Sequence, residues 1–139
     1  MCMMRFECAA CLAYVSVIDQ IVENLLLHEG VKEFEKFCFA THELVINSVE
    51  AMQTRKAPDD PGNITMDLKI SDHELMFSIN DKGGGIPIMP EESDEGTETR
   101  EISLEDRGRG LSLIRLFSDL FVMKAETDGS HTYTITKAI

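Results

Sequence analysis

The hydrophobic period of this chain changes at Asn63, and a chain that does this has to lay helices against a sheet. Upstream, Ile18, Ile21, Val22, Leu25 and Leu26 recur at steps of one, three and four, the spacing of one helix face, and Gly30 supplies a stop. Phe34, Phe37, Cys38, Thr41, Val45, Ser48 and Met52 carry the helical spacing on and predict a second helix over about residues 32–55. Pro58-Asp59-Asp60-Pro61-Gly62 then breaks the chain. Downstream, Ile64, Met66, Leu68 and Ile70 alternate with polar residues, Ser71-Asp72-His73 turns, and Leu75, Phe77 and Ile79 alternate on the way back. That is an antiparallel hairpin with one buried face.

The rest of the chain repeats the alternation of classes. Asp81-Lys82-Gly83-Gly84-Gly85 follows the second strand directly. From Pro87 to Asp106 no period stands out, and eight carboxylates face a single Arg; a loop of this length in a compact domain usually carries function or is disordered. Gly108-Arg109-Gly110 opens a helix with Leu111, Ile114 and Phe117 as its apolar face. A second hairpin, residues 120–127 and 131–138, turns at Asp128-Gly129. Helices on one face of a mostly antiparallel sheet make a two-layer α+β sandwich.

Charge narrows the partners. Thirteen Lys and Arg against 25 Asp and Glu leave a net charge of −12, which speaks against nucleic acid and against an anionic membrane surface. A basic protein partner suits it better. No run approaches the ~18 apolar residues of a spanning helix. Residues 8–18 are small and apolar behind Arg5, faintly like a signal-peptide core, but no cleavage site follows, and they are expected to belong to the fold. Cys8-Ala9-Ala10-Cys11, with Cys2, lacks the further Cys or His of a tetrahedral set, and Cys38 falls in a helical pattern. Reduced, mostly buried thiols of a cytoplasmic protein are the expectation. Met52, Met66, Met76 and Met123 are expected to fill the core.

Three features bear on chemistry, and each has an ordinary alternative. Glu43 and Asn47 are four residues apart and project from one helix face; they read as a solvated polar face, or as a carboxylate base beside an amide oxygen for Mg²⁺. Asp81-x-Gly83-x-Gly85 after a strand reads as a plain turn, or as an acceptor for an exocyclic amine with backbone open to a ligand. Gly108-Arg109-Gly110-Leu111 reads as a flexible N-cap, or as a phosphate site with Arg107 and Arg109 adding positive charge.

In this order the three features resemble the N box and the two glycine boxes of the GHKL ATPase superfamily, which binds ATP in the Bergerat fold. Glu43-Leu44-Val45-Ile46-Asn47-Ser48 and Gly108-Arg109-Gly110-Leu111-Ser112-Leu113-Ile114-Arg115 with Asp119 are similar to the boxes of the anti-sigma-factor serine/threonine kinases in particular. The resemblance spans nearly the whole chain and implies one ATP-binding domain over residues 1–139. It implies Asn47 as Mg²⁺ ligand, Asp81 on the adenine amine, Gly83 and Gly85 for nucleotide approach, and Arg107, Gly108, Arg109, Gly110 and Leu111 around the phosphates. It implies an ATP lid at about 88–106 and Glu43 as general base. It also implies a bacterial protein kinase that phosphorylates a STAS-domain antagonist and sequesters a sigma factor or similar regulator, often as a homodimer.

This chain departs from that pattern in two places. Ala51 stands where many family members have a His, and Ser130-His131 stands where the last strand usually begins Gly-Thr, the Thr holding adenine through water. Either His131 or Thr132 would take that part. The acid density of the lid is also unusual. A non-catalytic, nucleotide-gated partner-binding module is the main alternative, and a detached ATPase domain of a sensor histidine kinase is another. His42 beside Glu43 reads as a surface or packed histidine, with no dimerisation helix before it to make it a phospho-acceptor.

Overall fold

The computed structural model describes residues 1–55, 62–83, 98–101 and 108–139, with residues 98–101 and 108–110 described by their backbone alone. The elements are β1 (Cys2–Ala9), α1 (Val15–His28), α2 (Glu35–Thr54), β2 (Asn63–Ile70), β3 (Glu74–Asp81), β4 (Glu98–Glu101), α3 (Gly108–Leu116), β5 (Leu120–Ala125) and β6 (His131–Ala138). A short 3-10 turn at Leu12–Tyr14 precedes α1. Among these residues the strands form one six-stranded sheet in the order β1-β2-β3-β6-β5-β4, antiparallel at every pairing. α2 packs on β3 and β6, with α1 and α3 against it.

Alternation builds the core. Ile64, Met66, Leu68 and Ile70 of β2 and Leu75, Phe77 and Ile79 of β3 are buried, as are Phe121 and Met123 of β5 and Tyr133 and Ile135 of β6. The register sets them side by side, Leu68 opposite Phe77, Phe77 opposite Ile135 and Ile135 opposite Phe121. Phe37, Ala40, Leu44, Val45, Val49 and Met52 of α2 and Ile18, Val22 and Leu26 of α1 close over them. The other face of the sheet is a polar lattice. Ser78 bonds Thr134 at 2.8 Å, and Asn80 donates to Ser130 and Thr132, both at 3.0 Å. α1 ends through Gly30 at φ 71°, a conformation that costs glycine little.

Several expectations are corrected. The N-terminus is an edge strand, β1, paired to β2 from Cys2 opposite Ile70 to Ala9 opposite Asn63. Its mixed Met, Cys and Arg composition hides the alternation, because an edge strand buries little. The stretch 8–18 is the end of that strand, the 3-10 turn and the start of α1. Within the expected lid, residues Glu98–Glu101 form β4 on β5, an edge built on backbone pairing, where charged residues are at home. The remainder of 88–106 lies outside the described residues. α2 starts at Glu35, three residues later than the pattern suggests, and β5 stops at Ala125. The four thiols are free but half-buried rather than buried. Burial, with Glu23, Asp19 and Glu35 adding to it, pushes the Cys38 thiol up to about 11, so it stays protonated. Met76 is half-exposed on the polar face, whereas Met52, Met66 and Met123 are in the core. No helix among the described residues is long and apolar enough to cross a membrane.

Phe77 sits at the centre of this packing with no exposed surface. Phe77→Ala is expected to lower unfolding free energy by about 3–5 kcal/mol, read from urea denaturation curves.

Candidate functional site

The inward positions of β3 run Leu75, Phe77, Ile79 and then Asp81, so the alternation that builds the core delivers a carboxylate to its end. Asp81 is 0% exposed. Its Oδ1 accepts the Gly83 amide at 2.9 Å, while Oδ2 is buried with no hydrogen-bond partner among the described residues. Burial raises the Asp81 pKa. The Ser48 hydroxyl, the Gly83 amide and His131, in that order, oppose the rise. Ser48 stands near enough to act on the charge, yet its Oγ completes no hydrogen bond of its own.

The turn after β3 lies hard against α2. The Lys82 amide reaches Met52 Sδ at 3.2 Å. A Cβ at Gly83 would fall 2.7 Å from the carbonyl carbon and Cβ of Ala51 and 2.8 Å from its oxygen. Gly83 is therefore required by the helix it touches, a reason separate from the nucleotide approach expected of it. Gly85 lies outside the described residues.

Asn47 is one helical turn before Ala51, on the flank of α2 rather than opposite its buried stripe. It is half-buried, and its Nδ2 is wholly covered without an acceptor among the described residues. A side-chain amide in that position is equally an oxygen aimed at a missing donor or cation, since its two ends interchange by a flip. The solvated-face reading therefore fails for Asn47. Glu43, one turn earlier, is half-buried and makes no hydrogen bond or ion pair among the described residues. His42 points to α1 instead, its Nδ1 2.8 Å from Asp19 Oδ2, and ties the two helices together.

α3 begins at Gly108, so Gly108, Arg109 and Gly110 form its first turn. Their amides have no acceptor within the helix, as at any helix start, the kind of position that a bound anion can satisfy. Leu111 is buried in the core and anchors that turn against α2. Leu111 thus acts through packing. The Arg109 side chain and all of Arg107 lie outside what the structure describes.

One residue escaped the sequence reading. Ser48 looked like part of the apolar stripe, and only its position opposite β3 shows it beside Asp81. His131, already a candidate from the sequence, is directly across from Asp81 in the β3–β6 register and shares its face with Tyr133 and Ile135. The period-two count back from Ile135 carried that signal.

A family model described as a histidine kinase-like ATPase domain matches residues 8–137. No curated protein matches the chain. Among solved structures, the RsbU and RsbW domains of Rv1364c from Mycobacterium tuberculosis superpose with a TM-score of 0.67 at 13% identity, over 99% of this chain and 32% of that one. SiaB in the SiaB–SiaC complex from Pseudomonas aeruginosa is similar with a TM-score of 0.62 at 14% identity, over 98% of this chain and 89% of that one. At these identities the likeness is one of fold, and the chain spans about a third of the Rv1364c chain.

Two outcomes follow from the geometry. Gly83→Ala is expected to destabilise the protein by about 1–3 kcal/mol in urea melts, because the backbone of Ala51 has to move. A raised acid pKa means that the folded state holds its proton to higher pH than the unfolded one. Stability is therefore lost as pH rises from the ordinary Asp range through the raised value, and the loss persists above it. Asp81→Asn removes that loss, so its urea midpoint is expected to exceed the wild type's by more at pH 7 than at pH 4.

Proposed function

Because the chain belongs to the histidine kinase-like ATPase domain family, we propose that it is an ATP-dependent serine/threonine protein kinase of the anti-sigma-factor kind. The observation that carries the ATP part is the Asp81 carboxylate, fully buried with Oδ2 unpartnered among the described residues. A group held at that cost suits a donor delivered by a ligand, and the exocyclic amine of adenine is such a donor. The open amides at the start of α3 fit the phosphates.

The Asn47 amide fits a magnesium ligand, since it is covered and, among the described residues, without a partner at one end. Asn47 would share such an ion with nucleotide oxygens and water. Bound there, magnesium supplies charge neutralisation to the transferring phosphoryl group. Glu43, without a hydrogen bond or ion pair among the described residues, would take the proton of an acceptor Ser or Thr hydroxyl as its oxygen bonds to the γ-phosphorus. The bond from that phosphorus to the β-phosphate oxygen breaks, and ADP departs.

The acceptor in this proposal is a STAS-domain antagonist protein, and the output is capture and release of a sigma factor or similar regulator. The motif resemblance supports this, and SiaB, a fold relative, is seen in complex with another protein, SiaC. The acidic surface implied by a net charge of −12 favours partners with a basic face.

Calorimetry with ATP is expected to show binding that needs Mg²⁺ and is lost in Asn47→Ala. Labelled γ-phosphate is expected to reach a cognate STAS protein, with Glu43→Gln slowing transfer about 10²–10⁴-fold. Binding without transfer to any such protein would leave a nucleotide-gated binding module in place of a kinase.

A further inference from the structure

β3 runs from Glu74 to Asp81, and at its start, remote from Asp81, a cleft of about 390 Å³ opens between the helix layer and the strands. Its floor is apolar, since Phe37 of α2 and Leu75 of β3 are buried side chains that line it and Val31 adds a half-buried one. Its rim is charged, with Lys32 and Glu33 from the α1–α2 connection, Asp72 from the β2–β3 turn and Lys137 from β6. Lys137 continues the inward parity of Tyr133 and Ile135 and stands opposite Leu75 in the register. The alternation thus brings an ammonium group to this end of the sheet, as it brings a carboxylate to the other.

These rim charges are nearly uncommitted. The side chains of Lys32, Glu33 and Asp72 make no hydrogen bond or ion pair among the described residues. Lys137 meets Asp119 at 3.5 Å, with both side chains well exposed, a contact of little strength. Glu33 is also the one residue other than glycine with a left-handed backbone among the described residues, at φ 54°, a conformation that disfavours a side chain. Gly30, three residues earlier, adopts it freely at φ 71°. A carboxylate kept where glycine would relieve the backbone points to a use for that side chain. Two cations and two anions on the rim cancel, and the net charge of −12 would repel a plain anion. A ligand carrying both signs of charge matches such a rim.

We infer that this cleft is a second ligand site, for a small zwitterion with an apolar body such as an apolar α-amino acid. Its carboxylate meets Lys137 and Lys32, its ammonium meets Asp72 and Glu33, and its side chain lies on the floor of Phe37 and Leu75. A partly apolar cleft with a few convergent polar groups is the usual form of a small-molecule site. The elements that line it are those that converge on the candidate nucleotide site. α2 carries Phe37 here and Asn47 and Ser48 there, β3 carries Leu75 and Asp81, and β6 carries Lys137 and His131. Rigid elements shared by two sites let occupation of one bias the other, by the same factor in each direction. The ligand site stands apart from the ATP reading, and only its coupling to nucleotide rests on that reading.

The test is calorimetric titration with L-leucine and L-phenylalanine, beside N-acetyl-L-phenylalanine, which lacks the ammonium, and phenethylamine, which lacks the carboxylate. Phenylalanine is expected to bind at least about tenfold more tightly than either analogue, the share of one hydrogen bond to a charged group. Lys137→Met is expected to erase the advantage over phenethylamine, and Asp72→Asn to narrow that over N-acetylphenylalanine. Glu33→Gly is expected to raise the urea midpoint while weakening phenylalanine binding. No binding of either amino acid at millimolar concentration, or equal binding of phenylalanine and both analogues, overturns the site. Unchanged preferences in Lys137→Met and Asp72→Asn overturn the assignment of its charges. Should a variant fail to fold, phenylalanine and its two analogues on the wild type decide the matter. With saturating MgATP, phenylalanine affinity is expected to change about fivefold or more, and MgATP affinity by the same factor with saturating phenylalanine. ATP binding without such a change overturns the coupling and leaves the site supported by its own titration. Binding of phenylalanine but of no ATP overturns the ATP reading together with the coupling, and supports the ligand site.

Discussion

A Cβ at position 83 would lie within 2.7 Å of the Ala51 backbone, and most of the candidate site follows from that closeness. With glycine there, the turn after β3 can press onto α2, the Lys82 amide can meet Met52 sulfur, and Asp81 comes to rest beneath the helix next to Ser48. Ala51, Asn47 and Glu43 stand at four-residue steps along one flank of that helix. The contact that seals the strand end therefore also sets the height of the helix above the carboxylate, and with it the separation between Asp81 and the Asn47 and Glu43 side chains. A larger residue at 83 would alter both at once, because it would meet the backbone and Cβ of Ala51.

The arrangement is electrostatically costly. Asp81 is buried, its pKa is raised by desolvation, and only one of its oxygens has a full hydrogen bond. Asn47, Ser48 and His131 add further covered polar atoms without partners among the described residues at the same end of the sheet. A core selected for stability alone would carry apolar side chains or a closed network at these positions. The rest of the sheet does so, with Phe77, Ile79, Tyr133 and Ile135 on one face and hydroxyl and amide pairs on the other. Among the described residues, Asn47, Ser48, Asp81 and His131 thus gather four such groups where α2 meets the ends of β3 and β6.

How far the sequence was legible depended on burial. β2, β3, β6 and the helices each bury one full face, so their periods stand out and their positions are read nearly to the residue. β1 and β4 are the two edges, held by backbone pairing that leaves little mark on side-chain type. The parity of Asp81 and His131 was available by counting from Ile79 and Ile135. The spacing alone left Asn47 open between a solvated face and a ligand-holding one, because a helical wheel shows angles around one helix and says nothing of what packs on its flank. The histidine at 42 shows the same limit, since its tie to Asp19 needs the placement of α1.

The order of periods, the two hairpins, the inward parity of the strand residues and the three motifs are properties of the sequence by itself, because each depends on local backbone geometry and on which face turns from water. The tertiary structure decided which polar groups are left without partners. Whether Ser48 lies near Asp81, whether Thr132 is already taken by Asn80 and Glu126, and whether glycine at 83 is needed for α2 or for a ligand are questions of distance between segments remote in the chain. Those distances are set by how side-chain volumes fill the space between helix and sheet, which no periodicity encodes.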